Sequence, residues 1–415
     1  MPDIPVPPRR VVVTGVSVAC ALGFEVDELW RGLLEGRCGI SRLPGIRDDS
    51  PLPVKIAGCI ADETLAAALL RYGIDAPDRT DQLGLYAVGR ALEDAGLPTD
   101  GGRELEIDLI VGSGHGGAAV GNEASRALHM EGYRKLRPTT VVRAMFSHTA
   151  SSASIRYKLV GNSFAVSCAC ASGAVAFAEA FQHVRHGDAE TALAACCDTG
   201  LDFVSFAAWN RLGVLSRIPD PAAASRPFDK KRDGLVIGEG AAAFVLETLE
   251  SAQARGARIW AEVLGCASSS DARHIVQPDS AGQVKAVRKA LAAAGLAPGD
   301  IDYVNAHGTA TELSDVVESA SLREVFGAHA DRLPVSNTKA QLGHLMGATA
   351  GVELVATLLV LKHGIIPPCR NLDEPDPRCP LNFVRHEPLQ TPVTHALKNS
   401  FAFGGTNCAI VLRRW

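Results

Sequence analysis

The chain has 415 residues, 47% of them hydrophobic and 21% charged, with a formal net charge of −5. This is the composition of a globular protein long enough for two domains, and its charge gives no general attraction to nucleic acid or to an anionic membrane. No apolar run approaches the roughly 20 residues that span a bilayer, and the Pro-rich start "MPDIPVPPRR" carries no signal-peptide core, so a cytoplasmic location is expected.

In chain order, "RVVVTGV" predicts a first buried strand. "RALEDAGLPTDGGRELEIDLIVGSGHGGA" (Arg90 to Ala118) then predicts a helix, a Gly stop, an apolar strand opened by Ile107-Asp108 and a Gly-rich turn. Its glycines 112, 114 and 117 have the G-x-G-x-x-G spacing of a dinucleotide loop. Met130 and Glu131, where a ribose-binding acid should stand, do not end a second buried strand, which argues against that reading.

"AVSCACASGAV" (Ala165 to Val175) follows, with Cys168 at the end of a strand and Cys170 at the start of an Ala-rich helix that stops at Gly187. The C-x-C pair has no second Cys/His pair at zinc-finger spacing and is not a C-x-x-C redox motif. A cysteine at a helix start feels the positive end of the helix dipole, which favours thiolate. On these grounds Cys170 is a candidate nucleophile, with a structural cysteine as the alternative, and Cys168 is expected to pack. The other members of the 11 cysteines are read as mainly reduced core thiols.

"TALAACC" and "AAAFVLETL" predict further strands, separated by "SRIPDPAAASRPFDKKRDG" (Ser216 to Gly234), which reads as a polar surface excursion. A domain boundary is placed near Glu250 to Arg258, giving halves 1–254 and 255–415. The second half repeats the plan of the first. "KALAAAGLAPGDIDYVNAHGTAT" (Lys289 to Thr311) has the same helix, Gly stop, Ile-Asp strand and turn, which argues for a duplicated α/β unit.

Most of the 12 histidines, among them His129, His183, His186, His329 and His395, stand in polar contexts and read as surface residues. His307 ends the strand of the second repeat, beside Gly308, Thr309 and Thr311. His344 lies in "SNTKAQLGHLMGATAGVEL", with Lys339 before it and Glu353 after it. Each is read either as a ligand-facing group or as a satisfied core histidine. "NSFAFGGTNCAIVL" (Asn399 to Leu412) sets Phe403 before Gly404-Gly405 and then enters a closing strand. Such a turn either offers backbone N–H groups to a ligand or simply reverses the chain.

Together these segments resemble the motif set of the β-ketoacyl-acyl carrier protein synthases, the condensing enzymes of fatty acid and polyketide synthesis. The matching runs occur in family order: "ACASG", "RPFDKKRDGLVIGEGA", "HGTATELSDVVE", "NTKAQLGHLMGATAGVE" and "NSFAFGGTN". The resemblance covers essentially the whole chain. It implies a thiolase-like α/β fold, five-layered α-β-α-β-α and built from two similar halves. It also implies an acyltransferase that condenses an acyl group on Cys170 with a malonyl unit.

By that resemblance Cys170, His307, His344 and Lys339 are the catalytic residues, and the backbone N–H groups of Cys170 and Phe403 form the oxyanion hole. Phe403 is also the gating aromatic. Thr309, Thr311, His115, Gly404 and Gly405 bind substrate, Glu353 pairs with Lys339, and Asp315 and Glu318 give structural support. No metal and no permanently bound cofactor is implied, since the substrates ride on the phosphopantetheine of an acyl carrier protein.

The expected partners are that carrier, docked at Arg134 and Lys135 in "YRKLR", and a second protomer, with no nucleic acid and no membrane. The second protomer is either another copy or a chain-length-factor-like subunit. The retained Cys170 argues against a non-catalytic partner subunit. The two histidines argue for decarboxylative elongation rather than the Cys-His-Asn chemistry of initiation, or than hydrolysis or simple acyl transfer. His115 stands where elongating synthases usually carry an apolar residue, and a polar imidazole beside an alkyl chain is costly unless hydrogen-bonded. An acyl group that is shorter, unsaturated or functionalised is therefore expected.

Overall fold

The structure, a computed structural model, describes residues 8–415; the start Met1 to Pro7 lies outside the described residues. The Val-rich first run forms strand β1 (Val11–Ala19), buried at every position, as expected of a β-branched segment covered on both faces. The first-half elements that frame the site are helix α1 (Arg79–Asp94), β2 (Asp108–Gly112), α2 (Ala118–Glu131), β3 (Ser163–Val166), α3 (Ser172–His186), β4 (Thr191–Asp198), α4 (Phe203–Leu212) and β5 (Gly240–Thr248). The second half contributes β6 (Ala261–Ser270), α5 (Ser280–Ala294), β7 (Tyr303–Asn305), α6 (Glu312–Phe326), β8 (Pro334–Ser336), α7 (Thr349–His363), β9 (Asn382–Phe383), β10 (His395–Phe401) and β11 (Thr406–Arg414).

These strands form one 11-stranded mixed sheet in the order β9-β8-β7-β10-β11-β6-β1-β5-β4-β2-β3. The halves meet where β1 pairs antiparallel with β6, Val11 opposite Val263. Helix α1 covers the outer face of the first half, α5 and α6 cover the outer face of the second, and α3 and α7 lie between the two half-sheets. Three separate apolar cores mark this layering. One surrounds α1 (Leu83, Tyr86, Leu92), one surrounds α3 and α7 (Phe177, Phe181, Leu354, Leu358), and one surrounds α5 and α6 (Val287, Leu291, Leu322). The five-layered expectation is met.

Helix α7 is apolar on every side apart from Glu353 and buried from Thr349 to Leu361, as its position between two sheets requires. The 18-residue window Met346–His363 comes nearest to a membrane span by composition, but 89% of it is buried in the protein. Truncating Leu354 there should cost about 2–5 kcal/mol.

The repeat has a physical basis. Asp108 accepts the backbone N–H of Asn162, at the entry to β3, at 2.7 Å. Asp302 accepts those of Thr394 and His395, at the entry to β10, at 2.8 and 2.9 Å. Each Ile-Asp pair thus buries its Ile and uses its Asp to fasten the neighbouring strand.

Two expectations fail in the fold. Ser216 to Gly234 is no surface excursion. Phe228 and Asp229 are fully buried, Arg226 pairs with Asp229 and Asp373, and Arg232 pairs with Asp376 at 2.7 Å. Its charged residues satisfy one another across the two halves, which charge content alone could not reveal. Likewise His183 is only partly exposed and binds Asp108 at 2.7 Å rather than facing solvent.

Candidate active site

The nucleophile candidate sits on a strained turn. Ala169 has φ 48, in the left-handed region that a side chain disfavours, and the turn is closed by Ser172 Oγ, which accepts from the Cys168 N–H and donates to the Ala169 carbonyl. Cys170 is thereby set one residue before the N-cap of α3 and is 4% exposed. Small residues matter here because the second half comes close: a Cβ on Gly173 would lie 2.7 Å from the Gly347 carbonyl.

The helix position does not make Cys170 a resting thiolate, as the sequence reading expects. Burial pushes its thiol up to about 11, and the backbone N–H of Phe403 and that of Cys170 itself pull only partly the other way. Cys168, expected to pack, is half-buried beside β3, itself an edge strand with exposed and partly exposed residues rather than a buried one.

His307 and His344 converge from two loops of the second half, with ring centroids 5.4 Å apart and planes at 85°. The His307 loop is built on carboxylates. Glu318 accepts the N–H groups of His307 and Gly308 at 2.8 and 2.7 Å, and Asp315 accepts those of Thr309, Ala310 and Phe228. The His344 loop is tied to the first half through the His344 N–H on the Val236 carbonyl, and the His344 ring Nδ1 lies 2.8 Å from Thr349 Oγ1.

Both imidazoles are held well below the usual histidine range, first by burial and next by the positive charge of Lys339. They are neutral at physiological pH. Lys339 is itself buried, donates to Glu353 Oε1 at 2.8 Å and bonds the His307 carbonyl. Burial lowers its ammonium below the ordinary lysine range, against the pull of Glu353.

The third component is the Phe403 turn. Ser400 Oγ donates to the Cys170 carbonyl at 3.3 Å, which ties β10 to the nucleophile, and Phe401 packs against His307. Gly404 and Gly405 then take φ 81 and 77, and a Cβ on Gly405 would meet Asp271 at 2.7 Å. Cys170, His307, His344, Thr309, Thr311, Phe403, Gly404 and Gly405 all line one cavity of about 180 Å³. The segment His274–Pro278, which the sequence reading did not single out, also lines it. A thiol and two neutral imidazoles in one cavity, with the backbone N–H groups of Phe403 and Cys170 at the thiol, can accept an acyl group and stabilise an enolate or oxyanion.

His115 is absent from that wall and lies behind it. The Gly-rich loop after β2 holds no phosphate site, because the N–H groups of Gly114 and His115 both bond the fully buried carboxylate of Asp198, at 2.8 and 3.0 Å. Asp198 also accepts the Gly347 N–H at 2.8 Å and lies 3.2 Å from His115 Nδ1. Burial works against a charged His115, but Asp198 outweighs it and raises the imidazole above its ordinary value. The indole N–H of Trp209 reaches His115 Nε2 at 3.3 Å, and Trp209 stacks on Phe403 with centroids 6.1 Å apart.

Arg134 and Lys135 are exposed on another face, where Lys135 joins Arg137 and Arg143 around a cavity of about 310 Å³. Asp198, Trp209 and Lys398 are missing from the sequence reading. Lys398 was legible in principle, as a lone lysine inside the apolar strand "HALKNSF".

The Beta-ketoacyl synthase N-terminal domain model matches residues 8–252 and the C-terminal domain model matches residues 260–373. The 3-oxoacyl-acyl-carrier-protein synthase 2 of Coxiella burnetii is 36% identical over 411 residues, covering 98% of this chain and 99% of that one. A solved structure titled the ishigamide ketosynthase/chain length factor superposes with a TM-score of 0.90 at 32% identity, over 98% of this chain and 100% of that one. A type II polyketide synthase acyl-carrier protein in complex with its ketosynthase bound to the hexaketide gives a TM-score of 0.89 at 29% identity, with the same coverage.

Proposed function

The chain belongs to the β-ketoacyl synthase family, and from that premise we propose that its own Cys170, His307 and His344 carry out an elongating decarboxylative condensation. The observation that carries this reading is the meeting of one buried thiol and two neutral imidazoles in a single cavity with the Phe403 turn. Cys170 Sγ attacks the thioester of a carrier-bound acyl group. The new C–S bond forms as the old one breaks, and the thiol proton leaves on the carrier's pantetheine sulfur.

Malonyl carrier then enters. Its carboxylate departs as carbon dioxide, and the electron pair of the broken C–C bond becomes an enolate. Nε2–H groups of His307 and His344 hold the enolate oxygen; for His344, a Thr349 hydroxyl donating to Nδ1 leaves the proton on Nε2. The enolate carbon attacks the acyl carbonyl, whose oxyanion is held by the N–H groups of Cys170 and Phe403. Collapse of that adduct returns the electron pair to sulfur and leaves a β-ketoacyl chain two carbons longer on the carrier. Thr309 and Thr311 contact the pantetheine, Gly404 and Gly405 give it room, and Lys339 with Glu353 holds the His307 loop.

The acidic carrier docks on the basic rim that includes Arg134 and Lys135. A second protomer covers edge strand β3 and helix α2, none of whose residues is buried in the single chain. The apolar residues Met130, Tyr133 and Val141 are exposed beside them. A second copy is the proposed occupant. The likeness to a ketosynthase/chain length factor structure favours, as the second reading, a related inactive subunit in the same place.

For the acyl group the reading is a short, unsaturated or functionalised chain, on the place of His115 behind the Phe403 wall; Asp198 and the Trp209 indole bond both ring nitrogens, so the imidazole is satisfied there without the substrate. A panel of acyl carriers with malonyl carrier, read by product mass, tests this. Products two carbons longer, favouring short or unsaturated acyl groups, are expected. Equal rates with saturated C12 to C16 carriers would overturn the substrate assignment, and free acids alone would overturn the condensation. Native mass spectrometry of the purified chain reports the second protomer.

A further inference from the structure

We propose that Lys398 is a positioning residue for the histidine pair: its ammonium takes the second oxygen of Glu353 and fixes the charge behind His307 and His344. The assignment rests on the condensation reading above, and it concerns a buried cation to which that reading gives no task.

Lys398 is 1% exposed in the middle of β10, flanked by Asn305 of β7 and Ile410 of β11. A lysine so placed is retained only where a counter-charge meets it. Its Nζ lies 2.9 Å from Glu353 Oε2, an ion pair without good hydrogen-bond alignment, and bonds the Asn399 carbonyl. The other oxygen of Glu353 already serves Lys339 and Thr338. One carboxylate is therefore bracketed by two ammonium groups, one on the His307 side and one on the strand that leads through Ser400 to the Phe403 turn.

The neighbouring carboxylates bond groups other than the two rings, and both rings stay lowered in their presence. Glu318 spends its oxygens on the His307 and Gly308 N–H groups and on Asn399 Nδ2. Asp315 faces the backbone of residues 309–310 and lies near Arg232. Cys170 shares the cavity with His344, and the His115 ring, paired with Asp198, also acts on His344 as a positive charge. Positive charge beside a buried imidazole disfavours imidazolium, which would strip the decarboxylating pair of its neutral form. Both histidines feel Lys398 after burial and Lys339.

The test follows malonyl-carrier decarboxylation against pH, and Cys170 acylation separately, in Lys398→Met and in Lys398→Gln, whose amide can still bond Glu353 if the Met variant does not fold. The acidic limb of decarboxylation should move up by about one pH unit, while acylation stays within about threefold. Adding Glu353→Gln to Lys398→Met restores the net charge and should return the limb toward the wild-type position. A limb that does not move, or an equal fall of both half-reactions at every pH, would overturn the proposal. A wild-type protein that never decarboxylates malonyl carrier would instead overturn the reading beneath it.

Discussion

The two halves place a histidine in the same kind of loop and treat it in opposite ways. After β2, Asp198 gathers the N–H groups of Gly114 and His115; after β7, Glu318 gathers those of His307 and Gly308. The difference lies in what else each carboxylate meets. Asp198 also reaches the His115 ring, which is raised, whereas Glu318 meets backbone N–H groups and the Asn399 amide but not the ring, and burial with Lys339 behind it pushes His307 well below its usual range. Duplication supplies the loop, and the local ions decide whether it carries a neutral donor or a cation-prone imidazole.

The largest effect should come from outside both loops. Cys170→Ala should lower condensation on the order of 10⁴-fold or more, measured as product formed from acyl and malonyl carriers. Next, His307→Ala or His344→Ala should cost about 10²- to 10³-fold in malonyl decarboxylation while Cys170 still accepts an acyl group, seen by intact mass. Equal losses in both half-reactions would mean that the second loop only scaffolds. His115→Leu should leave decarboxylation intact and shift selectivity toward saturated long acyl carriers by about 10-fold, measured by competition.

Titration sharpens the same contrast. His115, raised by Asp198, gains its proton above the pH of a free imidazole, so as pH falls its Nε2 stops accepting the Trp209 N–H. His307 and His344, both lowered, keep their neutral form below that pH. Histidine NMR should show a high-titrating resonance that His115→Leu removes, and two that remain neutral through it. The smallest effect is on stability: Asp198→Asn should cost about 1–3 kcal/mol, read from the denaturant midpoint, since several buried N–H groups share that carboxylate.

Much of this arrangement is legible in the sequence. The Ile-Asp pairs mark the repeat because each half uses the pair in the same way, an apolar side chain inward and a carboxylate on the strand beside it in the sheet. Cys170, His307, His344 and Phe403 are marked by small residues that a close approach requires, and the structure brings all four to one cavity. The resting state of Cys170 is not legible, because the helix start is visible in sequence and the depth of burial is not. Ser216 to Gly234 misleads for a related reason: its charges find partners such as Asp373 and Asp376, more than 100 residues away. Asp198 and Trp209 act through contacts across strands and halves, which no spacing in the chain encodes, whereas Lys398 stands out as a lone lysine in its strand although its partner Glu353 does not.

The central claim is that Cys170 carries an acyl group which a malonyl unit then removes by condensation. Incubating the protein with an acyl carrier, mapping the adduct by peptide mass, and chasing it with malonyl carrier tests this directly. The account predicts one acyl group on Cys170 that is discharged as a β-ketoacyl carrier two carbons longer. An unmodified Cys170, or an adduct released only as free acid in the chase, would contradict it.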